Sequence, residues 1–212
     1  MAKAKNGSKK KTNFSEDRYE IRLSGSGGQG LITAGVILAE AVSVGDGKNA
    51  VHTQSYGPEA RGGRTRCDVI VSKGDIYFPE ATKLDLLLSL TQESADAYSP
   101  LLKNDGLFII DSDYVTQKPE RLFIEVPFTK KTREKLGSAV ATNVVCLGFI
   151  TQLTNIVTKK SIEKFLVERF PERFEKSNLK AINFGYEMAR KYNRSNASCG
   201  SEELLETEID RL

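Results

Sequence analysis

The sequence predicts an α/β fold: an open, mostly parallel sheet with helices on both faces and a helical C-terminal part. Three observations predict it. Apolar segments at strand spacing and at helix spacing alternate through the first 126 residues. Two of the strand segments, Leu84–Leu90 and around Gly106–Ile110, are near-continuous apolar runs, as expected of strands buried on both faces. A glycine-rich turn from Gly25 to Gly30 separates the first strand from the first helix, where such sheets bring ligands close to the backbone.

Taken in order, residues 1–17 are polar and Lys-rich and read as a disordered basic tail. Residues 18–192 read as a single α/β domain, and 193–212 as a flexible acidic tail. The first strand is Tyr19-Glu20-Ile21-Arg22-Leu23. From Leu31 to Val44 the spacing predicts a helix, with Leu31, Gly35, Leu38 and Val42 on one side and Gly45-Asp46-Gly47 ending it. Strands follow at Asn49–Gln54 and Cys67–Ser72, with a short one at Ile76–Phe78. Leu84–Leu90 is a strand, Gln92–Leu102 a helix, and Gly106–Ile110 and Leu122–Val126 further strands, the last closed by Pro127. Ala139–Leu153 is apolar on most sides and predicts a buried helix. Ser161–Phe170 predicts a helix capped by Ser161, and Glu175–Tyr192 one with Ile182, Tyr186 and Ala189 inward.

Composition narrows the function. The 212 residues are 39% hydrophobic and 28% charged, with a net charge of +3, too small to point to nucleic acid. Cys67, Cys146 and Cys199 are scattered, which excludes a local metal or redox motif and fits a reducing cytoplasm. The apolar runs fall short of the roughly 20 residues of a membrane-spanning helix.

Gly25-Ser26-Gly27-Gly28-Gln29-Gly30 satisfies the pattern Gly-x-Gly-x-x-Gly between a strand and a helix. Glycines let the backbone approach a ligand, and the helix start supplies free N–H groups with a positive dipole end. An anion is the expected occupant. A nicotinamide dinucleotide is one candidate, yet such sites carry Asp or Glu at the end of the second strand to hold the ribose. Here that strand reads Asn49-Ala50-Val51-His52-Thr53-Gln54, and Asp46 precedes it. A purely structural turn is the other alternative.

The second unusual segment is Ser55-Tyr56-Gly57-Pro58-Glu59-Ala60-Arg61-Gly62-Gly63-Arg64, at the carboxyl end of the second strand. Loops at that end form the crevice where open α/β sheets bind ligands, and arginine recognises carboxylate or phosphate with a planar fork. A solvated turn is the alternative. His52, the one histidine, has no acid or nucleophile partner visible in the sequence and reads as structural. No Ser/His/Asp set, paired carboxylates or nucleophilic cysteine emerges, so no catalytic residue is assigned.

Both loops carry a resemblance. The stretch from Leu23 to Gly30, the helix from Thr33 to Ala41, and Gln54 to Gly63 resemble the gamma subunit of 2-oxoacid:ferredoxin oxidoreductases. Asn143, within Ala141–Gly148, is similar to that family's Asn-containing helix start. The tyrosine form of the second loop is most like the 2-oxoglutarate branch. Arg64 departs from the small residue expected there, and Arg66 is also bulky.

The resemblance implies a Rossmann-like domain that is inactive alone. It implies partner alpha and beta subunits, a ferredoxin-like delta subunit, and ferredoxin as electron acceptor. Thiamine diphosphate, Mg and iron–sulfur clusters are implied on those partners, with coenzyme A as a cosubstrate bound partly here. It implies that Gly25, Ser26, Gly27, Gly28, Gln29 and Gly30 hold a phosphate. Tyr56, Gly57, Pro58, Glu59, Arg61, Gly62, Gly63 and Asn143 would then shape the subunit interface near the active site. An NAD(P)-binding oxidoreductase domain and a non-catalytic scaffold subunit remain the other readings.

Overall fold

The computed structural model describes residues 17–56 and 64–192. Six strands form one sheet: β1 (Tyr19–Ser26), β2 (Asn49–Tyr56), β3 (Arg64–Ser72), β4 (Leu84–Ser89), β5 (Leu102–Asp111) and β6 (Ile124–Val126), in the order β2-β3-β1-β4-β5-β6. β1, β4, β5 and β6 pair in parallel. β3 lies antiparallel between β2 and β1, so the second strand of the chain does not adjoin the first. That insertion is a departure from a simple parallel succession. Its physical basis is the hairpin-type return from β2 to β3, which places β3 beside β1 with Ile21, Leu23, Cys67 and Val69 in one buried layer.

Helices cover the two faces unequally. α1 (Leu31–Glu40), α4 (Thr142–Thr154), α5 (Lys159–Arg169) and α6 (Glu175–Ala189) pack with the larger core, which α3 (Phe128–Leu136) joins through Phe128. The smaller core on the other face holds Ile70, Leu84, Leu87, Phe108 and Ile110 under α2 (Gln92–Tyr98) and neighbouring loops. α4 is buried from Thr142 to Thr151, as its all-round apolar sequence predicts. α4 and α6 meet backbone to backbone: a Cβ added at Gly148 would lie 2.2 Å from the Ile182 carbonyl, and one at Gly185 would lie 2.1 Å from that of Val145. Both positions therefore require glycine.

Several boundaries move from the sequence reading. Ile76–Phe78 is not a strand. Tyr77 is 90% and Phe78 54% exposed, with no neighbouring strand among the described residues to give their apolar alternation a buried face. The helix from Leu31 stops being α-helical at Glu40 and closes with a π-helical turn, Ala41–Gly45. The predicted helix Gln92–Leu102 ends at Tyr98, and a 3₁₀ turn over Ser99–Leu101 brings in Pro100, which cannot donate to a longer α-helix.

The cap of α5 is Thr158 rather than Ser161: the Thr158 hydroxyl accepts from Ser161 N–H at 3.3 Å. Asp46 then has a structural role. Its carboxylate accepts from Thr158 N–H, the Thr158 hydroxyl and the Ser161 hydroxyl at 2.7, 2.8 and 2.6 Å, tying the end of the π-helical turn to α5.

The basic tail and the acidic tail expected at the two ends lie outside the described residues, apart from Asp17. Among the described residues, no helix is long and apolar enough to cross a membrane.

Candidate functional site

The carboxyl ends of β1 and β4 form the point at which the chain diverges. β1 runs into α1 on one face, and β4 runs into α2 on the other. Parallel strands whose connections leave in opposite directions open a crevice at their carboxyl edge. Buried serines hold this edge closed below the crevice: the Ser24 hydroxyl donates to the Leu88 carbonyl at 2.8 Å and lies 3.2 Å from the Ser89 hydroxyl.

The glycine turn rises above that edge. The Gln29 side-chain oxygen folds back to accept from Ser26 N–H at 2.8 Å, which fixes the turn internally and leaves Gly27 and Gly28 exposed. Gly28 has φ 90° and Gly30 φ 72°, both in the left-handed region that glycine tolerates. Gly30 is the N-cap of α1 with no side-chain cap, so the first N–H groups of α1 have no partner within the helix. This is the geometry of an anion cradle.

Asn143, at the start of α4, reaches this turn from across the fold. Its side-chain amide donates to the Gly30 carbonyl at 3.0 Å, and that carbonyl also accepts from Ala34 N–H at 3.1 Å. A side chain on Gly30 would strike Asn143 Nδ2 at 2.5 Å. Beside Asn143, Val140 is 88% exposed on the loop leading into α4.

The second loop leaves from the same edge. Gly25 and Tyr56 are both in register with Thr65 of the intervening β3, so the ends of β1 and β2 stand two strand spacings apart, roughly 10 Å. Arg64, where the loop re-enters the sheet, pairs with Ser26 at the start of the glycine turn. Of the predicted loop residues, Gly57, Pro58, Glu59, Arg61, Gly62 and Gly63 lie outside the described residues, whereas the strand ends that hold them are at the glycine turn.

The sequence reading named Arg64 and Arg66 but not the ring they meet. The guanidinium carbons of Arg22, Arg64 and Arg66 lie 4.7, 5.6 and 6.0 Å from the centre of the Tyr98 ring at the end of α2. Arg22, 1% exposed, is bidentate to Asp68 across the β1–β3 pair, with both contacts at 2.7 Å. The signal for this pair was present in the sequence as opposite charges inside two otherwise apolar strands.

His52 and Cys67 lie under α1. The Gly35 Cβ position approaches both, at 3.4 and 2.0 Å. Burial lowers the His52 pKa against the pull of Asp68 and Glu40, and burial pushes the Cys67 thiol up to about 12. Burial thus keeps the Cys67 thiol protonated near neutral pH and favours the neutral His52 imidazole. Asp111, at the carboxyl end of β5, has its pKa raised by burial, while hydrogen bonds from Thr129 and Asp113 oppose the rise. Its side chain accepts from Thr129 N–H and the Thr129 hydroxyl and so caps the start of α3.

The dinucleotide reading meets a geometric obstacle. A ribose-binding acid stands at the end of the strand beside β1, and here that neighbour is antiparallel β3, which presents Arg64 and Thr65 instead. What remains is an α/β domain with an exposed glycine turn at the carboxyl edge of its sheet and no catalytic set among the described residues.

The class is a subunit of a multi-subunit oxidoreductase. The chain belongs to the pyruvate ferredoxin/flavodoxin oxidoreductase family, whose model matches residues 20–188. It is 45% identical over 177 residues to the 2-oxoglutarate synthase subunit KorC of Methanocaldococcus jannaschii, covering 82% of this chain and 95% of the relative. The crystal structure of a keto/oxoacid ferredoxin oxidoreductase gamma subunit from Geobacter sulfurreducens has the same fold. Its TM-score is 0.75 and its identity 45%, over 82% of this chain and 97% of that one. The fold also recurs within 2-oxoglutarate:ferredoxin oxidoreductase of Magnetococcus marinus, at TM-score 0.76 and 22% identity, spanning 84% of this chain and 32% of that one.

Proposed function

We propose that this chain is the gamma subunit of a cytoplasmic 2-oxoglutarate:ferredoxin oxidoreductase. The observation that carries the reading is 45% identity extending over 95% of a 2-oxoglutarate synthase subunit. In the complete reaction 2-oxoglutarate loses carbon dioxide, the remaining four-carbon acyl group joins the thiol of coenzyme A, one proton is released, and two electrons pass to two ferredoxins. Thiamine diphosphate with Mg and iron–sulfur clusters on the alpha, beta and delta partners would supply the carbanion and electron chemistry.

The residues of this chain bind and orient. The N–H groups at the start of α1 and the exposed backbone at Gly27 and Gly28 suit a phosphate of coenzyme A. Asn143 holds the turn by its Gly30 carbonyl, so that the donors are fixed before the ligand arrives. By the family resemblance, Glu59 and Arg61, between Tyr56 and Arg64, would serve the contact with the partner subunits near the active site.

Co-expression with the companion subunits tests the assignment. The purified complex should reduce a low-potential acceptor with 2-oxoglutarate and coenzyme A, and much more slowly with pyruvate or branched-chain 2-oxoacids. This chain alone should show no turnover. Preference for another 2-oxoacid would reassign the substrate, and turnover by the isolated chain would remove the subunit role.

A further inference from the structure

The helical side of the molecule carries a groove that the proposed chemistry does not use. It measures about 560 Å³ and runs between α3 and α6. Its floor is apolar: Met188 is buried, and Phe184 and Tyr192 are half-buried. Its rim is mostly cationic among the described residues, with the exposed side chains of Lys131, Lys135 and Lys191 against the carboxylate of Glu134, and Glu125 acts on Tyr192 from beside it. Lys135 Nζ stands 5.7 Å from the centre of the Phe184 ring, so charge and apolar surface adjoin. Such a groove fits an acidic polypeptide segment that also presents aliphatic side chains.

The chain itself contains such a segment. Residues 201–212 carry Glu202, Glu203, Glu206, Glu208 and Asp210 against Arg211, interleaved with Leu204, Leu205, Ile209 and Leu212. Tyr192, which lines the groove, precedes it by a link of residues 193–200, whose reach when extended is roughly 27 Å. We propose that residues 201–212 seat in this groove, their aliphatic side chains on Phe184, Met188 and Tyr192 and their carboxylates on Lys131, Lys135 and Lys191. A short link holds the segment at an effective concentration on the order of 1 mM, so an intrinsic affinity of only about 50 μM keeps the groove mostly filled. The segment lies beyond the family match, which ends at residue 188, so the contact is an addition to the family domain.

Hydrogen exchange on the full chain tests the proposal, comparing the natural sequence with a variant carrying Leu205→Asp and Ile209→Asp. Amides over residues 131–136 and 184–192 should exchange faster in the variant. A labelled synthetic peptide of residues 199–212 should bind the variant, and Lys131→Glu with Lys135→Glu in the same chain should weaken that binding about tenfold or more, or about 1.4 kcal/mol. Equal exchange in both chains overturns the proposal, as does a peptide that fails to bind or that binds regardless of the lysines. Protection that appears only when companion subunits are added gives the groove to a partner and overturns it equally.

Discussion

The side-chain amide of Asn143 donates to the Gly30 carbonyl at 3.0 Å, across 113 positions of sequence. This bond joins the start of α4 to the N-cap of α1, so the glycine turn is fixed by the helical core as well as by the sheet. Replacing Asn143 with Ala should lower stability by about 0.5–1.5 kcal/mol, read as a fall of a few degrees in Tm. Asn143→Asp should lower it further, because a carboxylate faces a carbonyl already committed to Ala34 N–H. Equal melting temperatures for Asp and Asn would show that the contact carries no weight.

Gly35 packs α1 onto β3. A Cβ there would lie 2.0 Å from Cys67 Sγ, so Gly35→Ala should cost about 1–3 kcal/mol by overpacking. Removing the sulfur makes room. Gly35→Ala with Cys67→Ala should therefore be less destabilised than the sum of the two single changes, by about 1 kcal/mol in a denaturant double-mutant cycle. Strict additivity would place the strain elsewhere.

His52 gives the stability a pH dependence that the chain's single histidine makes simple to isolate. Its folded pKa is depressed, mainly by burial, and its Nε2 is buried without a hydrogen-bond partner among the described residues. The native state therefore binds fewer protons than the unfolded state just below the unfolded value of about 6.5. The stability this contributes is present above that pH and is lost as pH falls through it toward the folded value. Urea midpoints should drop between pH 7.5 and 5.5 in the natural chain and drop less in His52→Gln. Parallel curves would contradict this.

Cys67 and Cys146 should resist alkylation in the folded protein. Burial pushes the first thiol up to about 12 and the second well above its ordinary value, so little thiolate exists near pH 8. Peptide mapping after iodoacetamide should find both unmodified in the native chain and both modified in urea. Rapid labelling of the native chain at either position would show that the core opens locally.

The sequence carries the strands and helices of this fold legibly, because apolar alternation and glycine breaks mark their ends. It does not carry strand direction: the alternation in Cys67–Ser72 is the same whether β3 runs with β1 or against it. Tyr77 and Phe78 misled for the reverse reason, since their apolar character has no sheet neighbour to satisfy. Thr158 and Ser161 both fit a helix cap, three residues apart, and only the hydrogen-bond direction separates them. The glycine turn was readable from its own pattern. Asn143 was readable only through the family likeness, because nothing local in α4 points to a residue 113 positions away. Tyr98 gave no signal, because three strand arginines reach it only in the folded sheet.

The central claim is that the exposed glycine turn faces a phosphate of coenzyme A, and Gly28 tests it most directly. Among the described residues no atom lies within 4 Å of a Cβ added there, and φ is 90°. Asn and Asp share whatever backbone strain that imposes and differ by one charge. In the assembled enzyme, Gly28→Asp should raise the KM for coenzyme A about tenfold over Gly28→Asn, by placing a carboxylate beside the anion, with the KM for 2-oxoglutarate unchanged. The same KM for coenzyme A in both variants would contradict the account.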